Sequence, residues 1–141
     1  MEIAAERLND GSVALLALRG ELDASNFEAL IEAARAEARD GATALVLDLR
    51  DLSYMGSSGL VALHSAALLM RGQEPPSPES GWSAFHDVGH AVAAGSTAQP
   101  VALVAPQPGV RRVLDRSGMS RIFPIHPDRE TALASVAGAA T

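Results

Sequence analysis

The stretch of sequence that decides the fold is Asp51-Leu52-Ser53-Tyr54-Met55-Gly56-Ser57-Ser58-Gly59-Leu60. It follows a compact apolar run, Ala44–Leu49, which is typical of a buried central strand. We predict that this strand ends at Leu49, and that a turn then leads to a helix that begins at the serines and ends near Met70. The sequence therefore places two hydroxyl groups at a helix N-terminus.

A hairpin and a helix are predicted on the N-terminal side of this stretch. The apolar runs Ile3–Leu8 and Val13–Leu18 are joined by Asn-Asp-Gly, which is a β-hairpin signal. Ser25 and Glu28 have the spacing of a capping box, in which each side chain satisfies a backbone N–H group of the other residue. A helix is therefore expected from this point to Arg39.

Strands and helices also alternate on the C-terminal side. Val101–Ala105 is typical of a strand, and Pro108–Arg116 is typical of a helix with proline in its first turn. Ile122–Ile125 is a short strand whose Pro124 favours an edge position, and an Ala-rich helix follows from about Asp128. This alternation predicts an α/β layer structure, and the opening hairpin makes its sheet mixed rather than wholly parallel.

Residues 72–98 interrupt the alternation. Their first part, Gln73–Gly81, is rich in proline, serine and glycine and is typical of a loop. A short amphipathic helix is predicted after it from the spacing of Trp82, Phe85, Val88 and Val92. We interpret this segment as an insertion before the fourth strand.

The composition excludes several classes of protein. The net charge of −6 argues against nucleic-acid binding, and the absence of cysteine excludes disulfides and thiolate metal sites. No apolar run reaches the roughly 18 residues that a membrane span needs, and the first residues are acidic where a signal peptide would be basic. A cytoplasmic protein is therefore expected.

No catalytic or metal-binding constellation is recognised. Gly56-Ser57-Ser58-Gly59 is one residue short of the hydrolase nucleophile elbow, and no phosphate-binding loop is present. His86 and His90 have helical spacing but lack a third ligand. We therefore expect neither an enzyme nor a cofactor or metal site.

The serines at the predicted helix start have two interpretations. Ser57 or Ser58 could be an N-cap that satisfies unpaired backbone N–H groups. Alternatively, an exposed serine there could accept a phosphate, whose negative charge the helix dipole tolerates. Such a phosphate would place charge in a surface that a partner must desolvate.

The helix after the serines is apolar nearly all round. If Leu60, Leu63, Ala67 and Met70 face the sheet, the opposite side presents Val61, Ser65, Leu68 and Leu69. A helix of this kind is either buried on both sides or awaits a partner. Both a partner protein and the Trp82–Val92 segment are candidates to cover it.

Four segments together resemble the STAS domains of bacterial anti-sigma-factor antagonists. The residues that carry the resemblance are Gly20-Glu21-Leu22-Asp23, Leu45-Val46-Leu47-Asp48-Leu49, Leu52–Leu60 and Pro108–Met119. The resemblance covers the first 70 residues and the part from about Val101 onward. It implies a STAS fold with a mixed four- to five-stranded sheet flanked by about four helices.

The resemblance also implies a function and a site. It implies binding to an anti-sigma factor that is also a serine kinase of the partner-switching type, with Ser57 as phosphoacceptor and Asp23 nearby. Since Ser25 is expected to cap the first helix, Asp23 is expected to be free for this role. The family usually has an acidic residue where this chain has Gly56, which in addition permits backbone angles that aspartate resists.

Two functions from different classes follow. The leading hypothesis is an anti-sigma-factor antagonist, that is, a transcription regulator formed by residues 1–141 as a single domain, which acts as a monomer or a weak dimer. Its partner-binding residues are predicted to be Asp23, Gly56, Ser57, Ser58, Val61, Ser65 and Leu68. The alternative is a ligand-sensing or scaffold STAS module in which Trp82 and Phe85 form a small-molecule pocket.

Overall fold

A five-stranded mixed sheet forms the centre of the part of the chain that the computed structural model describes, residues 1–8, 11–75 and 100–139. The described elements, in chain order, are β1 (Glu2–Leu8), β2 (Val13–Leu22), α1 (Phe27–Arg39), β3 (Ala44–Met55), α2 (Ser57–Met70), β4 (Val101–Val104), α3 (Pro108–Ser117), α4 (Met119–Ile122), β5 (Ile125–His126) and α5 (Arg129–Ala139). The predicted α/β architecture is therefore confirmed, and the predicted amphipathic helix after Trp82 lies outside the described residues.

The strands follow one another in space in their chain order. β1 pairs with β2 antiparallel, whereas β2, β3, β4 and β5 pair in parallel. The predicted hairpin is confirmed by the pairing of Leu8 with Val13. The predicted edge strand is confirmed as β5, although it begins at Ile125 because Ile122 belongs to α4.

Helices cover both faces of the sheet. Successive residues of a strand point to opposite faces, so Val46 and Leu47 of β3 belong to different apolar clusters. Leu47 packs in the cluster that α1, α2 and α3 share, and Val46 packs in the cluster that includes Ala132 and Val136 of α5. The hydrophobic core therefore has two layers separated by the sheet.

The central strand β3 is longer than the sequence predicts. It does not end at Leu49 but remains paired with β2 as far as Met55. Two irregularities in this pairing interrupt the usual alternation of buried and exposed side chains. As a result, Leu49, Leu52 and Met55 are all buried in the same cluster at intervals of three residues. The intervening residues are exposed, which is why this part of the sequence resembles a turn.

The first helix begins later than predicted. α1 starts at Phe27 with Asn26 as its N-cap, so the predicted capping box between Ser25 and Glu28 is wrong. The Asn26 side chain instead accepts from the backbone N–H of Asp23 and donates to the carbonyl oxygen of Glu21. These bonds hold the β2–α1 connection in a compact turn.

Helix α2 approaches the ends of β2 and β3 very closely at Gly59. A Cβ atom at this position would lie 2.6 Å from Cγ of Met55 and 3.0 Å from Cδ2 of Leu22. Real Cβ atoms are not found at the shorter distance, so any larger residue requires the neighbouring side chains or the helix to shift. Gly59 therefore determines how near the start of α2 lies to the sheet.

We expect Gly59→Ala to lower the free energy of unfolding by about 1–3 kcal/mol, because the added methyl group overpacks the contact with Met55 and Leu22. The matched control is Gly109→Ala in α3, where no atom lies within 4 Å of the added Cβ. Since alanine favours helix, this control should raise the free energy of unfolding by up to about 1 kcal/mol. Urea denaturation measures both values, and equal stability of the two variants would contradict the close approach.

Candidate functional site

The ends of β2 and β3 bring two loops together at one edge of the sheet. Leu22 and Met55 are paired, and the backbone N–H of Gly56 donates to the carbonyl oxygen of Leu22 at 2.9 Å. Asp23 and Ser57 each follow directly after one partner of this hydrogen bond. The structure thus places Asp23 beside Gly56-Ser57-Ser58-Gly59, here called the serine loop, as the family resemblance implies.

The two serines belong to the first turn of α2 and are not its cap. Gly56 occupies the N-cap position, and no side chain forms a capping hydrogen bond there. The interpretation of Ser57 or Ser58 as the N-cap is therefore wrong. Ser57 is exposed and Ser58 is half-buried, so the Ser57 hydroxyl lies on the surface at the positive end of the helix dipole.

The backbone of Gly56 is ordinary. Its φ of −86° and ψ of 178° are extended values that any residue adopts, so the expectation that aspartate would resist them is wrong. A Cβ atom at this position would instead lie 3.4 Å from Oη of Tyr54. This distance is an ordinary van der Waals contact, so neither the backbone nor the surrounding space requires glycine at position 56.

Asp23 is held by Ser25. Its Oδ1 atom accepts from the Ser25 hydroxyl at 2.5 Å and from the Ser25 backbone N–H at 2.9 Å. The hydroxyl bond first, and the backbone bond second, lower the pKa of Asp23 below its ordinary value. The expectation that Ser25 caps α1 and leaves Asp23 free is wrong, but Asp23 carries a negative charge at neutral pH.

Helix α2 presents a different face from the one that the sequence suggests. Val61 and Ser65, expected to face outward, are only 5% and 2% exposed. Leu60, His64 and Leu68 are half-buried, and with Ser57 they form a stripe at helical spacing. Because α2 is apolar nearly all round, its sequence does not determine which side faces the core.

Tyr54 is a candidate site residue that the sequence analysis missed. It is 52% exposed and is the one large hydrophobic side chain that is exposed among residues 1–8, 11–75 and 100–136. The interpretation of residues 50–56 as a turn hid its position in a strand. The available signal was its place two residues before the glycine of the serine loop.

Other candidate sites receive no support from the described part of the chain. No group of three or more potential metal-ligating side chains occurs there, and none of its helices is long and apolar enough to cross a membrane. The histidine pair and the pocket aromatics Trp82 and Phe85 lie outside the described residues, so the ligand-sensing alternative stays a prediction.

Comparison with known proteins finds a family model that is similar to just under half of the chain. Residues 7–75 match the family model described as "Mlab, STAS domain". No curated protein matches the sequence significantly.

Solved structures share the fold over nearly the whole chain. An anti-sigma factor antagonist from Mycobacterium paratuberculosis is 24% identical, with a TM-score of 0.63 and coverage of 96% of this chain and 95% of that chain. The anti-sigma factor antagonist SpoIIAA in its unphosphorylated form is 18% identical, with a TM-score of 0.60 and coverage of 97% and 99%. SpoIIAA of Bacillus in its phosphorylated form is 20% identical, with a TM-score of 0.59 and coverage of 96% and 99%. These matches confirm the predicted STAS fold.

We expect Ser25→Ala to raise the pKa of Asp23 toward its ordinary value, because both the hydroxyl and its hydrogen bond are lost. A lowered native pKa stabilises the fold above the pKa of the unfolded chain, and this contribution disappears as the pH falls through the native value. The free energy of unfolding of the variant should therefore be lower than that of the wild type at neutral pH, and it should fall less steeply as the pH is lowered.

An NMR titration of the Asp23 carboxyl carbon measures this change. Ser25→Thr, which keeps a hydroxyl, should retain the lowered pKa of Asp23. Asp115, whose pKa is lowered mainly by the Ser120 hydroxyl, is the internal control and should not move. An unchanged Asp23 titration in Ser25→Ala would show that Ser25 is not the cause.

Proposed function

We propose that this STAS-domain chain is an anti-sigma-factor antagonist, which binds an anti-sigma factor of the serine-kinase type and thereby frees a sigma factor. The observation that carries the proposal is the exposed Ser57 hydroxyl in the first turn of α2, beside the ionised Asp23. Ser57 is the proposed phosphoacceptor. The solved anti-sigma-factor antagonists that share the fold support the general function.

The proposed docking surface comprises the serine loop, the neighbouring β2 end and the half-buried stripe of α2. Its residues are Asp23, Gly56, Ser57, Ser58, Leu60, His64 and Leu68. Val61 and Ser65 are buried, so they act on this surface through the position of the helix rather than by direct contact. The surface combines exposed polar groups at one end with apolar side chains along the helix, as protein interfaces do.

Phosphorylation of Ser57 would change this surface by charge. A phosphate adds about −1.5 to −2 charges, which the N-terminus of α2 tolerates within the folded chain. It would nevertheless stand beside the negative carboxylate of Asp23, in a region that a bound partner must desolvate. The modified chain is therefore expected to remain folded and to release its partner.

The two forms of SpoIIAA support a switch of this kind. Its unphosphorylated and phosphorylated structures match this chain with TM-scores of 0.60 and 0.59, so both forms of that protein have the same fold. A switch that acts without refolding needs its acceptor on a rigid and exposed element. Ser57 has this placement, because Gly59 packs the same turn of α2 tightly against the sheet.

The purified chain should bind the kinase-type anti-sigma factor of its host organism, and ATP should then lead to one phosphate on Ser57. Ser57→Ala should retain binding and accept no phosphate, whereas Ser57→Asp should bind at least tenfold more weakly because of its added charge. Calorimetry measures the affinities, and mass spectrometry locates the phosphate.

Ser58→Ala is the matched control for the position of the phosphate, because it removes the neighbouring half-buried hydroxyl and should still carry one phosphate on Ser57. Equal affinity of Ser57→Ala and Ser57→Asp would overturn the phosphate switch. A wild-type chain that binds none of the host's kinase-type anti-sigma factors would overturn the proposed function itself.

A further inference from the structure

We infer that Asn26 is a positioning residue for the phosphate switch, because it holds the turn in which Asp23 stands beside the serine loop. This inference rests on the proposed function and assigns to it a residue that acts through Asp23. Asn26 occupies the N-cap position of α1, where an asparagine usually accepts a hydrogen bond from a backbone N–H group of the first helical turn. No such capping bond is formed here. The side chain is bonded instead to the residues that precede it.

The Asn26 side chain bridges the turn. Its Oδ1 atom accepts from the backbone N–H of Asp23 at 3.0 Å, and its Nδ2 atom donates to the carbonyl oxygen of Glu21 at 2.8 Å. The carbonyl oxygen of Asp23 in turn accepts from the backbone N–H groups of Asn26 and Phe27. An amide presents its acceptor and its donor on two different atoms, whereas a serine hydroxyl is a single atom and an ionised carboxylate only accepts. The bridge therefore requires the amide.

The same bridge joins the turn to the irregular end of the sheet. The pairing of β2 with β3 shifts between Gly20 and Glu21. At this shift the carbonyl oxygen of Gly20 accepts from the Ser53 hydroxyl at 3.0 Å, and that of Glu21 accepts from Asn26. Side chains thus bond two successive carbonyl groups of β2, where a regular ladder uses backbone N–H groups. Asn26 therefore fixes the turn that carries Asp23 to the last residues of β2.

A fixed carboxylate at Asp23 determines how strongly a phosphate on Ser57 is opposed. The backbone of Asp23 is held by Asn26 and its carboxylate by Ser25, so the charge stays at the strand end beside the serine loop. In the free chain, water screens two neighbouring negative charges, whereas a bound partner removes this water and strengthens their repulsion. A carboxylate on a loose turn would move away from the phosphate. The rigidity of the turn therefore sets the loss of affinity on phosphorylation.

The nearest positive groups do not take the place of these contacts. The Met1 ammonium lowers the pKa of Asp23, but it contributes less than either hydrogen bond from Ser25. Arg19 is in register with Asp51 and lies three residues before Leu22, about 10 Å along β2. The position of the Asp23 charge therefore depends on the turn itself.

The switch ratio measures this effect in the complex with the host's purified kinase-type anti-sigma factor. It is the dissociation constant of Ser57→Asp divided by that of Ser57→Ala, and calorimetry gives both. We expect Asp23→Asn, which removes the charge, to lower this ratio at least threefold, and Asn26→Ala to lower it equally. Gln107→Ala is the matched control and should keep the wild-type ratio. Gln107 is likewise an N-cap amide without a capping bond, and its Nε2 atom donates to the carbonyl oxygen of Arg50 at 2.8 Å.

Asn26→Ser separates positioning from stability. Serine is a good N-cap, so this variant should unfold at about the wild-type temperature, yet it cannot bridge Asp23 and Glu21. Its switch ratio should nevertheless fall at least threefold. A smaller fall in Asn26→Ser or in Asp23→Asn would overturn the inference and leave the proposed function standing. A wild-type chain that binds none of these partners would overturn the proposed function, and the inference with it.

A double-mutant cycle tests whether Asn26 acts through Asp23. In the Asp23→Asn background, Asn26→Ser should change the switch ratio less than twofold, and a larger change would overturn the inference.

An NMR titration tests the same coupling without a partner. At low ionic strength, Ser57→Asp should raise the pKa of Asp23, because the new carboxylate repels its charge, and the rise should be smaller when Asn26→Ser is also present. A pKa of Asp23 that does not respond to Ser57→Asp, or that responds equally in both backgrounds, would contradict the positioning role.

Discussion

The structure depends on the close contact between the first turn of α2 and the ends of β2 and β3. Gly59 has no side chain, and its backbone lies against Met55 and Leu22 at distances that leave no room for a Cβ atom. One residue ahead of this turn, the Gly56 N–H group donates to the carbonyl oxygen of Leu22. Together these two contacts fix the direction in which the serines leave the sheet. They also bring Asp23 and Ser57 to neighbouring positions, although the two residues are far apart in sequence.

The bulged end of β3 determines what surrounds this contact. In a regular strand, successive side chains point to opposite faces, so Leu52 and Met55, which are three residues apart, would face opposite sides of the sheet. They could not both join Leu49 in the same apolar cluster, as they do here. The two shifts in pairing allow all three to enter one cluster. The two residues that separate each of these buried side chains from the next are exposed to solvent, and Tyr54 is one of them. The same irregularity therefore completes the core and places an aromatic ring on the surface.

The proposed docking surface combines a polar end with an apolar stripe. Its polar groups lie on the surface at a helix N-terminus, the half-buried Leu60 and Leu68 continue it along α2, and the ionised Asp23 gives it a fixed negative charge. The turn that carries Ser57 is packed closely against the sheet at Gly59, so the proposed phosphate would act on a partner rather than on the fold. A rigid element with an exposed acceptor is what a reversible docking switch requires.

The sequence by itself determined the order of the elements, the hairpin, the mixed sheet and the position of the serine loop, because apolar periodicity and turn residues are local signals. It also indicated Asp23 and Ser57 through the motifs that surround them. Only the tertiary structure decided where β3 ends, since two bulges remove the alternation on which a strand prediction depends. It likewise decided the outward face of α2, which is apolar nearly all round, the close contact at Gly59 and the exposure of Tyr54. These features arise from contacts across strands and between helix and sheet, and such contacts are not encoded in the spacing of neighbouring residues.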